Sequence, residues 1–317
     1  YYVVRCLLVW MIIIIDLSYI LLLCGNIEIQ PDPRARAPEN LKIAFWNLGG
    51  LPTDNFVKKT CLEAFLNVKK MDVVMLGETH LTDHTDDSDL EIEGYTLIRC
   101  DYPDNISRGG VCAYYRSDLP ISVKREINFL NECIVLEFLM GRKKCFITCL
   151  YRSPSNNAKI DVDDFVCNFE NSMREIEKCN PYVSFLIGDF NAKNSNWWGN
   201  KNDYQGIKID QAATEYGYNQ IISEATNFEP NCEPSCIDLI FASEPNLVQN
   251  SGTFASLFDR CHHQIVFAEV NFKVFYPPKY ERKIWDYKNA DLGKIQESLS
   301  KVNWAKHLEN RSPNEQV

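Results

Sequence analysis

The chain has 317 residues, 45% of them hydrophobic and 24% charged, enough for a sizeable buried core and too apolar for a disordered tail. Forty-three acidic residues against 33 basic ones give a net charge of −10, which excludes a protein that holds nucleic acid by counterion release alone. The thirteen cysteines, odd in number and without a Cys-x-x-Cys pair, argue against a disulfide framework or a zinc knuckle.

The first 38 residues stand apart. Cys6 to Cys24 is apolar except for Asp16, Ser18 and Tyr19. As a helix it reaches about 28 Å, just short of a bilayer core, and Asp16 near its middle costs about 3 kcal/mol there. A transmembrane span, a signal peptide and a leader without stable structure are the three readings it allows. The prolines and charges of Pro31 to Asn40 then mark a linker.

From Leu41 onward short apolar runs dominate. Leu41–Leu48 and Asp72–Glu78 read as strands buried on both faces. Between them Val57, Cys61, Phe65 and Val68 recur at helical spacing behind the capping pair Thr53-Asp54. Gly109–Arg116, Ile121–Ile127 and Cys133–Met140 predict further strands, and a hairpin at 141–143 leads into Cys145–Tyr151. Asp161–Cys179 is helical, Tyr182–Phe190 a strand, and the last strands fall at Cys236–Phe241 and His262–Phe272. Hairpins mixed with helical crossovers predict an α/β domain with mixed sheets. Beyond Tyr276 the chain turns basic and polar, with a weak helix from Asn289.

Polar residues cluster where the apolar strands end. Asn47 follows IAFW, Glu78 follows VVMLG, Tyr151 follows FITCL, Asp189-Phe190-Asn191 follows SFLIG, Asp238 lies inside CIDLIF, and His262 and His263 open the last strand. Singly, each has an ordinary explanation: a turn former, a cap, an Asx turn or a surface charge. An Asp between Ile237 and Leu239, however, needs a partner to be tolerated. Together they line one rim of a sheet with oxygen ligands that suit a hard divalent cation and a phosphate.

The segments IAFWNLGGL, LGETHL, CLYRSPS, FLIGDFNA, CIDLIF and CHHQIV resemble, in that order, the endonuclease/exonuclease/phosphatase superfamily, and in particular the apurinic-like endonuclease domain of LINE-type (non-LTR) retrotransposons. The resemblance implies a four-layer α-β-β-α sandwich of two packed mixed sheets (DNase I-like) over residues 39–275. Residues 276–317 then resemble the connector that precedes a reverse transcriptase. It also implies a nuclear enzyme that nicks DNA and leaves a 3′-hydroxyl for target-primed reverse transcription, with a reverse transcriptase in cis. By matched position, Glu78 and Asn47 hold Mg²⁺ (Mn²⁺ is the alternative), Asp189 activates water, Asn191 assists it, and Tyr151 contacts the phosphate. Asp238 holds the catalytic histidine. The family pattern Ser-Asp-His, with an aliphatic residue three positions on, selects His262 through Ile265 and places Cys261 where the family has Asp.

Three further expectations follow. Gly25–Pro33 resembles a degenerate ribosome-skipping peptide lacking the required Gly-Pro step. Arg116, Arg152 and Lys193 are candidate phosphate contacts, and Trp197 and Trp198 candidates for stacking on bases. A phosphatase of the same superfamily and a decayed, non-cleaving DNA-binding remnant are the rival readings, and a membrane partner rests on residues 6–24 alone.

Overall fold

The computed structural model describes residues 40–271 other than 104–105, 141–142, 155–159 and 200, together with 291–301 and 303. The apolar leader, the ribosome-skipping-like segment, most of the linker and the connector up to residue 290 lie outside the described residues. Residues 35–277 form one compact unit and the remaining residues another. In the latter, one helix is described at Leu292–Ser300, in the stretch the sequence marks as weakly helical. Among the described residues no helix is long and apolar enough to cross a membrane.

In the main unit the chain runs β1 (Leu41–Asn47), α1 (Thr53–Lys69), β2 (Val73–Gly77), β3 (Tyr95–Cys100), β4 (Val111–Arg116), β5 (Ile121–Val123), β6 (Cys133–Met140), β7 (Lys143–Tyr151), α2 (Ile160–Lys178), β8 (Val183–Asp189), α3 (Tyr204–Glu215), β9 (Asn219–Gln220), β10 (Asp238–Ala242), β11 (Val248–Phe254) and β12 (Ile265–Val270). The strands form two six-stranded sheets, ordered β11-β12-β1-β2-β4-β3 and β5-β6-β7-β8-β10-β9. Both are mixed: β1–β2 and β7–β8 are parallel and are joined by the crossover helices α1 and α2, as parallel neighbours require. Consecutive strands supply the antiparallel pairs β3–β4, β5–β6, β6–β7, β9–β10 and β11–β12, whereas β1–β12, β2–β4 and β8–β10 pair strands that are not neighbours in the chain.

Period-two alternation sorts the core into layers. On β1, Leu41, Ile43 and Phe45 join the core between the sheets, whereas Ala44 and Trp46 join a second cluster with Leu62, Phe65 and Leu66 of α1. Each fully buried side chain of this size contributes about 1.5–3 kcal/mol. The two sheets with helices outside them are the four-layer sandwich expected from the sequence.

Beyond shifts of one or two residues at strand ends, three local differences matter. On α1 the buried face is Leu62, Phe65 and Leu66, while Val57 and Val68 are 44% and 75% exposed; two isolated valines at helical spacing had mimicked a core face. The expected strand Ile121–Ile127 keeps only its first three residues, and Arg125–Ile127 forms a 3₁₀ turn. The last strand begins at Ile265 rather than His262, which bears directly on the site.

Candidate active site

Strand register gathers the polar residues. Asn47 pairs with Gly77 across parallel β1 and β2, so Asn47 and Glu78 leave the first sheet at the same end. In the second sheet Asp189 is opposite Tyr151 on one side and Asp238 on the other. Gly188 permits that packing, since a Cβ there would lie 1.8 Å from the Leu150 carbonyl oxygen.

Hydrogen bonds join the two sheets at this rim. Asn47 Nδ2 donates to Glu78 Oε1 at 2.9 Å and to Asp189 Oδ2 at 2.8 Å. The Tyr151 hydroxyl donates to Glu78 Oε1 at 2.9 Å. Asn191 donates its backbone N–H to Asp189 Oδ1 at 2.8 Å and its amide to the Arg152 carbonyl. Beside them, His263 Nδ1 lies 2.9 Å from Asp238 Oδ2. Thr226 Oγ1 accepts the backbone N–H groups of Ile237 and Asp238 and so fixes the strand that carries this carboxylate.

Burial works against the charge of Glu78, but the neighbouring His80 imidazole, hydrogen bonds from Asn47 and Tyr151 and the charge of His263 outweigh it and hold its carboxyl at about 2. Asp189 moves the other way: complete burial and the nearby Asp238 raise it above the carboxylate range, against the pull of His263 and its donors. Burial opposes a charge on His263, yet Asp238, Asp189 and Cys261 together push it up to about 10. Asn227 Nδ2 faces His263 Nε2 at 3.1 Å while its Oδ1 accepts the Glu229 N–H. That arrangement suits an imidazole protonated on Nδ1, and an imidazolium needs the Asn227 amide turned over. Burial and the carboxylates also keep the Tyr151 phenol protonated, hence a donor.

The donor set fits a divalent cation. Asp189, Asp238 and His263 bring ligand atoms within 4.8 Å of one another, and Glu78 adds a third carboxylate across the Asn47 bridge. Three carboxylates converging on one imidazole leave an excess of negative charge that a hard cation would offset.

The structure brings together Asn47, Glu78, Tyr151, Asp189, Asn191 and Asp238, and it sets His263, not the expected His262, against Asp238. His263 faces Asp238, whereas His262 is exposed and contributes its backbone carbonyl to Phe228 N–H. With His263 as the histidine, the aliphatic residue three positions on is Val266. Cys261 then takes the serine position of the Ser-Asp-His pattern and His262 the Asp position. Cys261 bonds through Sγ to the Asn47 carbonyl at 3.1 Å.

Several of the residues expected to contact DNA make contacts within the protein. Arg152 is buried and donates to the carbonyls of Phe190 and Asn191, bracing the turn after Asp189. Arg116 pairs with Asp72 and Asp118 at the opposite end of the first sheet, because Val73 at the start of β2 is paired with Tyr115. Trp197 is buried, packs edge-on against Phe241 and donates to Asp210; Trp198 is half-buried against the same core. Lys193 remains exposed two residues past Asn191. The sequence reading missed His80, Thr226 and Asn227. His80 lay in plain view in GETHL, but Thr226-Asn227, just ahead of Glu229-Pro230, read as ordinary turn chemistry.

Two packed mixed sheets with helices outside them have the endonuclease/exonuclease/phosphatase fold. Residues 145–265 match the family model described as endonuclease-reverse transcriptase. Among solved structures, the endonuclease domain of TRAS1, a telomere-specific non-LTR retrotransposon, is 14% identical with a TM-score of 0.57, covering 74% of this chain and 99% of that one. An AP endonuclease from Leishmania major is 12% identical with a TM-score of 0.64, covering 83% and 96%. The 3′ phosphatase NExo from Neisseria, solved with a product DNA hairpin, is 16% identical with a TM-score of 0.58, covering 73% and 100%. No curated protein matches. The resemblance read from the sequence is thus borne out by a family model and by the fold.

Proposed function

We propose that this chain is a divalent-metal-dependent DNA endonuclease that nicks target DNA and leaves a 3′-hydroxyl to prime reverse transcription. The observation that carries this reading is the unbroken chain of hydrogen bonds Tyr151–Glu78–Asn47–Asp189 across the two sheets, with the Asp238–His263 pair beside it. The endonuclease-reverse transcriptase model and the retrotransposon neighbour support DNA as substrate and a reverse transcriptase in cis, hence action in the nucleus. Glu78 and Asn47 would hold Mg²⁺ or Mn²⁺, which when bound offsets charge on the phosphate and polarises its P–O bonds.

The chain's own residues divide the remaining work. Asp189, buried and inclined to take up a proton, accepts one from the attacking water as the water oxygen bonds to phosphorus. Asn191 and Asn47 hold its carboxylate in place. Tyr151, whose O–H is directed to Glu78, would turn that proton to a non-bridging oxygen as negative charge grows there. The P–O3′ bond breaks, and the imidazolium of His263, oriented by Asp238, returns a proton to the departing 3′ oxygen.

The test is supercoiled plasmid incubated with the full-length chain and MgCl₂. Nicked circles that a DNA polymerase can extend, lost with EDTA and with Asp189→Ala, are expected. Binding without nicking would instead indicate a non-cleaving remnant. Phosphate release from phosphoinositides with intact plasmid would overturn the proposal in favour of a phosphatase.

A further inference from the structure

The tripeptide Glu78-Thr79-His80 has an unusual backbone. Glu78 and His80 have φ of +49° and +56°, a left-handed conformation that costs non-glycine residues about 1–3 kcal/mol each. Four backbone bonds hold it: Gly50 N–H to the Glu78 carbonyl, Leu51 N–H to Thr79, Thr79 N–H to Gly110 and His80 N–H to Gly109. The result brings His80 Nε2 to 3.6 Å from Glu78 Oε2. Glu78 Oε1 is already engaged by Asn47 and Tyr151, which fixes the carboxylate with its second oxygen toward the imidazole. Gly50 clears space for the ring, since a Cβ there would lie 3.0 Å from His80 Nδ1.

From this geometry we infer that His80 is a ligand of the cation site, donating Nε2 beside Glu78 Oε2. This deepens the metal-dependent reading above and rests on it. The 3.6 Å separation is long for a hydrogen bond. Two donors each about 2.1 Å from one ion stand about 3.0–3.4 Å apart at octahedral or tetrahedral angles, so the pair needs to close by only a few tenths of an ångström. A neutral imidazole among oxygen ligands favours Mn²⁺, Co²⁺ and Zn²⁺ over Mg²⁺ more strongly than oxygens alone. The site thereby selects a borderline cation. A plain His–Glu ion pair, by contrast, would affect stability and leave metal preference unchanged.

The test uses the full-length chain without DNA. Zn²⁺, a diamagnetic ion, is titrated while the His80 ring ¹⁵N resonances, assigned by comparison with His80→Asn, are followed by NMR, and Co²⁺ and Mg²⁺ affinities are measured by calorimetry. Expected are a large shift of the His80 Nε2 resonance at stoichiometric Zn²⁺ and a roughly tenfold or greater weakening of Co²⁺ in His80→Ala. Mg²⁺ affinity changes far less in that variant, and Glu78→Gln weakens both ions. An unshifted His80 Nε2 resonance in the wild type under Zn²⁺ binding that Glu78→Gln abolishes would overturn the inference without requiring any His80 variant to fold. Nicking in Mg²⁺ with an unshifted His80 sinks this inference alone; Zn²⁺ bound at His80 without nicking in Mg²⁺ sinks the endonuclease reading alone. No Glu78-dependent binding of any ion overturns the inference and the metal role together.

Discussion

His262 and His263 are chemically identical neighbours, yet Asp238 lies 2.9 Å from the second while the first is exposed. His263→Ala is therefore expected to lower plasmid nicking by about 10²–10⁴-fold, the usual worth of a proton-transfer group. His262→Ala should change it only a few-fold, and equal losses in the two variants would contradict the assignment. Acid stability follows from Glu78. Its folded pKa of about 2 lies below the ordinary 4.5, so its contribution is present above pH 4.5 and lost as pH falls toward 2. The upper limit of that contribution is about 3 kcal/mol. His263 has the opposite sign: pushed up to about 10 from 6.5, it contributes below pH 6.5 and loses that contribution as pH rises through 10. Urea unfolding of the metal-free chain across this range should show both limbs, with Glu78→Gln flattening the acid one.

Among the elements, those buried on both faces could be read from sequence, whereas of the edge strands only β5 could, and its end was misplaced. β1, β2, β7 and β8 are mostly apolar and buried, so their polar terminal residues stood out and most of the site could be read from them. β11 (VQNSGTF) is an edge strand with mostly polar residues, and α3 carries Gly206 where a Cβ would lie 2.0 Å from the Lys193 carbonyl oxygen; neither leaves a periodic signal. Which histidine faces Asp238 was not legible for a related reason. His263 precedes β12 and makes an isolated bridge to Asn227, so the strand pattern had no bearing on which imidazole turns inward. The loop after β8 offers a direct check. Trp197→Phe should cost about 1 kcal/mol in urea unfolding through loss of its bond to Asp210, with DNA affinity in a mobility-shift assay unchanged. A large loss of DNA binding at unaltered stability would restore Trp197 as a stacking residue.

For the whole molecule, the two ends of the first sheet have separate tasks. At the end away from Glu78, Arg116 reaches Asp72, whose side chain is 3% exposed. Arg116→Ala is expected to lower stability by about 2 kcal/mol, the loss of a charged hydrogen bond to a buried partner, while the nicking rate at saturating DNA stays unchanged. A fall in rate at full stability would mean the far end communicates with the site. The net charge of −10 is compatible with a DNA-cutting domain because part of it is the carboxylate cluster itself.

The route of the chain adds a matter of timing. β1 to β4 build most of one sheet, β5 to β10 build the other, and only then do β11 and β12 return to the free edge of β1. His263 immediately precedes that final strand, so it reaches Asp238 last. A polypeptide still emerging from the ribosome can already have assembled the carboxylates and the tyrosine, yet it lacks its proton donor until almost the entire domain has been made. On the proposed function, an unfinished copy is unarmed, and a chain that nicks DNA gains from becoming competent only on completion.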